Sequence, residues 1–174
     1  MMPSIAIRKA SEDDAEGMRG ILVEIAEEGV HSAIDAPWTV EQERAYLRSL
    51  SEREAIQVAL AGDQLVGFQS LDLWSAALTT MAHVGQLGTF VVPGHRGQGI
   101  GRALFRATVA FAHAADYEKF VIQVRASNTL AQRFYRGLGF APAGRFTRQV
   151  RIGSAYDDEV LMELFLDPES DSGR

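Results

Sequence analysis

The chain has 174 residues, 47% of them hydrophobic, which suits one domain with a full buried core and is too short for two substantial ones. Its formal net charge of −6 argues against a nucleic-acid partner, because proteins that grip a phosphate backbone present a basic face. The absence of cysteine excludes disulfides, thiolate metal sites and a cysteine nucleophile. Residues 1–10 carry no apolar signal core and no apolar run approaches a membrane span, so the expectation is a soluble, cytoplasmic protein with no membrane partner.

Residues 5–10 alternate as a first strand should, and Ser11 followed by Glu12, Asp13 and Asp14 offers a cap and acids for a helix N-terminus. A helix over residues 13–28 carries Met18, Ile21, Leu22 and Ile25 at helical spacing, and Gly29 can stop it. Past a loop with His31 and Trp38, Thr39 and Gln42 form a capping box, and Tyr46, Leu47 and Leu50 mark the buried face of a second helix. Residues 55–61 and 64–73 read as strands joined by the turn Gly62-Asp63, and residues 79–92 hold a fourth strand.

From Gly99 a long helix is predicted, with Ile100, Ala103, Leu104, Ala107, Phe111 and Ala114 as its apolar stripe and Arg102, Arg106 and His113 opposite. Residues 120–124 form a buried strand, joined to the fourth by a right-handed parallel crossover. Ser127 or Asn128 then caps a short helix in which Leu130, Phe134 and Leu138 recur. Residues 140–152 and 158–166 supply two closing strands as an antiparallel pair. The domain therefore spans residues 1–167, and the polar residues 168–174 are an expected disordered tail.

The most informative segment is Arg96-Gly97-Gln98-Gly99-Ile100-Gly101, which joins an apolar strand to a helix N-terminus. Glycines at every second position let backbone N–H groups converge on phosphate oxygens while the helix dipole adds attraction, and Arg96 puts a charge at the rim. A Walker loop is disfavoured because Gly101 is followed by Arg102 and Ala103 instead of Lys and Ser or Thr. A dinucleotide fingerprint would need a glycine where Arg102 stands.

The pattern Arg-x-x-Gly-x-Gly after a strand ending Val-Val-Pro resembles the acyl-coenzyme A pyrophosphate loop of the GNAT superfamily of N-acetyltransferases. Asn128 with Phe134-Tyr135-Arg136-Gly137-Leu138-Gly139-Phe140, and Tyr156-Asp157-Asp158-Glu159 leading into a final strand, are similar to later parts of the same family. The resemblance implies an α/β (α+β) fold: a mixed, mostly antiparallel sheet of about seven strands with a parallel, splayed fourth and fifth pair, flanked by about four helices. It implies acetyl-CoA as cosubstrate without a metal, its pantetheine arm along Phe90 and Val91 and its pyrophosphate on Arg96, Gly97, Gln98, Gly99, Ile100 and Gly101, with Asn128 also counted among the binding residues. Tyr135 matches the family's general acid, and a bulge near Phe90 or Val91 would free a backbone N–H for the oxyanion.

The implied reaction is acetyl transfer to a primary amine of a small molecule: an amino acid, a polyamine or an antibiotic-like amine. The alternatives are an acyl-CoA sensor without turnover, a protein N-terminal or lysine acetyltransferase, and a nucleotide-binding module using the same loop. Residues 83–88 lack the carboxylate that many relatives carry on the fourth strand, which leaves His83, a water chain or an already neutral amine to account for the proton. His31, Trp38, Trp74 and Tyr156 are candidate pocket residues; Glu28, Asp35 and Asp72 suit a cationic acceptor, while Arg125 and Arg136 suit a carboxylate. Pairing of two copies through the C-terminal strands follows from the same resemblance and from Val160, Met162 and Leu164.

Overall fold

The computed structural model describes residues 4–30, 32–34 and 36–166. The first strand, β1 (Ile5–Lys9), ends where Asp14 folds back: its carboxylate accepts from Ser11 N–H at 2.7 Å and from both Arg8 Nη atoms at 2.7 and 2.8 Å. The Arg8 guanidinium holds the Asp14 carboxyl below the usual range. A 3-10 turn, Glu12–Asp14, replaces the first helical turn expected there, and α1 (Ala15–Glu28) follows, closed by Gly29 at φ 65°. The capping box at Thr39 and Gln42 opens α2 (Val40–Ser49).

Strands β2 (Ala55–Ala61), β3 (Gln64–Leu73) and β4 (Val84–Val91) precede α3 (Ile100–Ala114), β5 (Lys119–Arg125), α4 (Thr129–Arg136), β6 (Ala141–Ile152) and β7 (Ala155–Phe165). They form one seven-stranded sheet in the order β1-β2-β3-β4-β5-β7-β6, antiparallel except for β4 and β5. This is the mixed sheet the sequence implied. The last strand enters between β5 and β6, so β6, which precedes it in the chain, becomes the outer edge.

Strand alternation sends the side chains to two apolar layers. Phe68 and Phe90 pack with Met18, Ile21 and Ile25 of α1, whereas Leu71, Leu87, Phe120, Ile122 and Met162 pack with Phe105 and Ala112 of α3 and Tyr135 of α4. The buried face of α3 is Ile100, Leu104, Phe105, Thr108 and Ala112, a rotation from the expected stripe that leaves Ala114 exposed. Phe105 drives the rotation by meeting the rings of Phe120 and Phe140 at 6.2 and 6.1 Å. Thr108 can be buried because its hydroxyl donates to Leu104 O at 3.1 Å. On α4, Gln132 and Tyr135 are buried while Leu130, expected inside, is exposed. No described helix is long and apolar enough to cross a membrane. The expected tail lies outside the described residues.

Gly85 shows how tightly β4 is packed where it pairs with β5: a Cβ there would stand 2.5 Å from Leu71 Cδ1 and 3.1 Å from Tyr117 Cε1. Gly85→Ala is therefore expected to lower stability by roughly 1–3 kcal/mol through overpacking, read as a fall in thermal midpoint. An unchanged midpoint would show that Leu71 and Tyr117 yield without cost.

Candidate active site

β4 and β5 are paired only at Val84↔Lys119, Gly85↔Phe120 and Gln86↔Val121. Beyond these residues the strands part, and the β4 backbone on the β5 side has no strand to bond. Alternation identifies the groups concerned. Val92 N–H donates to Val66 O and Trp74 N–H donates to Val84 O, each at 3.0 Å, so the even-numbered residues of β4 face β3. Leu87, Thr89 and Val91 accordingly aim their N–H groups into the opening. The expected bulge is absent: the β3–β4 register runs unbroken from Gly67↔Val91 to Leu73↔Gly85. Divergence of the strands exposes the donors instead, at Thr89 and Val91. Phe90 lines the cleft with its ring, stacked 4.8 Å from Phe68, while its backbone belongs to the β3 ladder.

A cleft of about 620 Å³ runs from the glycine loop through this opening to the segment after α1. The loop owes its shape to Gly97 at φ 75° and Gly99 at φ 82°, left-handed conformations with open space around each Cα. Gly99 caps α3, whose first N–H groups have no partner within the helix and face the cleft mouth. Gly101 serves another purpose. A Cβ there would lie 2.9 Å from Phe134 Cζ, so this glycine lets α3 and α4 approach.

Arg96, expected at the rim as a free cation, is engaged. Its Nη atoms donate to the Glu28 carboxylate at 3.0 and 2.7 Å and its Nε to Val91 O at 2.9 Å, pinning the loop to the end of α1. Arg102, exposed and lining the cleft, reaches among the described residues only Gly137 O at 3.5 Å, which leaves its charge less engaged than that of Arg96. Gln98 donates to Gly94 O at 3.0 Å, and Asn128, whose Oδ1 accepts from Ala131 N–H at 3.0 Å, lines the cleft wall with Ile100.

Tyr135 sits at the end of α4, 5% exposed, with its ring edge-on to Phe134 and Phe140 at 5.0 and 5.3 Å. Its hydroxyl donates to Thr89 Oγ1 at 2.8 Å, and the same oxygen accepts from Gln69 Nε2 at 2.7 Å. The Thr89 backbone N–H also reaches the phenol. Burial pushes the Tyr135 hydroxyl up to about 12, against the opposing pull of the Thr89 groups. The phenol thus stays protonated at neutral pH and stands ready as a donor beside the freed N–H groups.

At the other end of the cleft, on the α1 side of the sheet, Gln86 Nε2 donates to Gln123 Oε1 at 3.3 Å. Arg125 pairs with Asp157 at 2.9 Å and donates to Val30 O and Ser32 O, each at 3.1 Å, which draws the segment after α1 over the sheet. Glu159 lines the cleft here; the sequence named it only in the run leading into the final strand and gave it no site role, nor one to Gln69 and Thr89. Their signal lay in strand phase, which puts Thr89 on the face of Tyr135 and Glu159 on the face of Gln123.

The remaining candidates disperse. His83 is exposed at the end of β4 remote from the glycine loop, and Trp74, Tyr156 and Arg136 do not line this cleft. Trp38 packs edge-on against Tyr46 at 5.5 Å, and the Tyr46 hydroxyl donates to Asp72, whose carboxyl is raised by burial. Glu28 is taken by Arg96. His31 and Asp35 lie outside the described residues.

A splayed parallel pair, a glycine-capped helix at its mouth and a phenol at the freed N–H groups define an acyl-transfer site. The family profile described as Acetyltransferase (GNAT) family matches residues 21–140, and the chain belongs to that family. It is 30% identical over 122 residues to the N-alpha-acetyltransferase RimI of Mycobacterium tuberculosis, a match covering 70% of this chain and 72% of that one. It is 36% identical over 94 residues to the streptothricin acetyltransferase of Streptomyces lavendulae, covering 53% of this chain and 46% of that one. Among solved structures, a GNAT superfamily phosphinothricin acetyltransferase from Sinorhizobium meliloti, in complex with acetyl-CoA, shares the fold with a TM-score of 0.84 at 19% identity, over 93% of this chain and 88% of that one.

Proposed function

We propose that the protein transfers an acetyl group from acetyl-CoA to a primary amine of a small molecule. The observation that carries the reading is the meeting of the Tyr135 hydroxyl with the Thr89 N–H at the opening between β4 and β5. The amine nitrogen attacks the thioester carbonyl, and the developing oxyanion is met by the N–H groups of Thr89 and Val91. As the C–S bond breaks, Tyr135 gives its proton to the sulfur and regains one from water. The glycine loop, the α3 N-terminus and Arg102 receive the pyrophosphate. The acceptors in the names of the streptothricin and phosphinothricin acetyltransferases support the acceptor class. Acetylation of a protein N-terminus is the second reading, favoured by the match to RimI. The buried Tyr135 donor weighs against an acyl-CoA sensor without turnover. Use of acetyl-CoA and the lack of cysteine suit a cytoplasmic protein.

A second copy is the proposed macromolecular partner. β6 leaves an open edge, and Phe146, Ile152 and Tyr156 stand exposed on the β6–β7 hairpin. Light scattering at micromolar concentration is expected to give twice the 19.0 kDa chain mass. The monomer mass would remove the dimer.

Gly99→Val is expected to weaken acetyl-CoA binding by about tenfold or more, because a branched side chain at φ 82° reshapes the loop; unchanged affinity by calorimetry would move the phosphate site elsewhere. Tyr135→Phe is expected to lower kcat by roughly 10 to 1,000 fold with little change in acetyl-CoA affinity, since the donor matters chiefly once charge reaches the sulfur. The assay is thiol release with amino acids, polyamines, antibiotic-like amines and peptide N-termini as acceptors. Peptides as the only acceptors turned over would replace the small-molecule reading with the second one.

A further inference from the structure

We infer that Glu159 is the carboxylate that receives the acceptor's ammonium group and takes its proton. This rests on the reading of the cleft as an N-acetyltransferase site, and it supplies the base that residues 83–88 lack.

The topology places Glu159 for the task. Val160, Met162 and Leu164 pack into the layer of α3 and α4, so Glu159, of opposite phase on β7, stands on the other face with Gln123 and Arg125 of β5. It lines the same cleft as Thr89, Val91 and Tyr135. The acceptor nitrogen can thus enter between the carboxylate and the carbonyl that the β4 N–H groups hold, with the Tyr135 proton on the far side.

Elimination points the same way, because the neighbouring acids are spent. Glu28 is bound by Arg96, Asp72 accepts from Tyr46, and Asp158 is held by Arg145 and by the Arg148 N–H. Asp157 is bound by Arg125 and Ser127. The Glu159 carboxylate forms no hydrogen bond or ion pair among the described residues. Its register partner across the ladder is Arg125, a cation that would satisfy it, yet that guanidinium is turned to Asp157 and to the carbonyls of Val30 and Ser32. A half-buried carboxylate beside a committed arginine is an unfilled cation site.

Among the described residues, the charged groups around Glu159 come from several elements. Asp157 shares its face of β7, Arg125 faces it from β5, its β6 register partner Phe146 is neutral, and Arg133 of α4 lines the cleft; the described lining residues after α1, Ser32, Ala33 and Ile34, are uncharged. Burial, and secondarily Asp157, raise the Glu159 carboxyl, which makes it a stronger base than a solvated glutamate. Glu159 takes one proton from the ammonium group and passes it to water, which frees the nitrogen to attack; the C–N bond forms, and the nitrogen's second proton leaves by the regenerated carboxylate. The C–S bond breaks with the Tyr135 proton going to sulfur and the phenolate is reprotonated from water, so the products are the amide, the free thiol and one released proton.

The test uses the full chain with whichever amine the wild type accepts. Glu159→Gln keeps the shape and removes the charge. It is expected to lower kcat/KM by about 10 to 1,000 fold near pH 7, with the deficit shrinking toward pH 10 as the free amine forms unaided. Acetyl-CoA affinity should not move. Calorimetric titration of the amine onto the protein with coenzyme A bound should show weaker binding in Glu159→Gln and partial recovery in Glu159→Asp. The thermal midpoint should hold or rise, because a carboxylate raised on folding makes the folded state less favourable as pH climbs past its ordinary range. Wild-type turnover with undiminished kcat/KM in Glu159→Gln overturns the inference and leaves the acetyltransferase reading standing. A deficit equal at every pH, with amine binding intact, also overturns it. No thiol release by the wild type with any amine, despite acetyl-CoA binding, removes that reading and the inference with it.

Discussion

The brevity of the β4–β5 pairing governs the rest of the structure. Each of these strands is committed along its length to its outer neighbour, β4 to β3 as far as Gly67↔Val91 and β5 to β7 as far as Arg125↔Glu159. The two half-sheets therefore follow their own twists after Gln86 and Val121, and a gap opens in mid-sheet. A dry, unpaired backbone N–H costs about 1–3 kcal/mol. The Thr89 N–H meets the Tyr135 phenol, whereas the Val91 N–H faces the opening with no strand to bond, and a ligand backbone or carbonyl there would satisfy it. The opening is thus available to an extended ligand because the sheet is incomplete there.

Everything around the gap serves to keep it in shape. Arg96 ties the glycine loop to α1 on one flank, and Arg125 ties the segment after α1 to β5 and β7 on the other. Both are arginines whose charge is spent on structure, at sites where a first reading would assign them to a ligand. Their planar, forked donors suit this work, since each fixes two or three acceptors at once. Gly101 and Gly85 contribute by absence: each leaves room for a ring or a strand partner that a Cβ would displace.

The polar chain Gln69–Thr89–Tyr135 crosses the buried layer beneath the gap. Gln69 is fully buried, and its position would be costly without the Thr89 hydroxyl to receive its amide. That bond in turn fixes the threonine rotamer against which the phenol rests. A phenol held by two bonds and two ring contacts has little freedom to reorient, which suits the proton transfer proposed for it.

What the sequence determined by itself were the local facts: the strands β2 and β3 to the residue, the Thr39 capping box, the Gly29 stop, the glycine loop before α3, a cap at Ser127 or Asn128 that the structure gives to Asn128, and the tyrosine in its setting. These depend on residues close in the chain, whose propensities and spacing survive in one dimension. The resemblance they carry extended that reading to the splayed sheet. The tertiary structure decided what pairs with what across long separations. It gave Arg96 to Glu28 and Arg125 to Asp157, divided three neighbouring glycines between turn and packing, and replaced an expected bulge by divergence. It also brought Glu159 to the cleft through the insertion of β7 beside β5, a placement that strand order creates and that no spacing within the chain encodes. Charged side chains are read least well from sequence because their partners are chosen by distance in space, and a cation free on paper is bound as soon as a carboxylate folds against it.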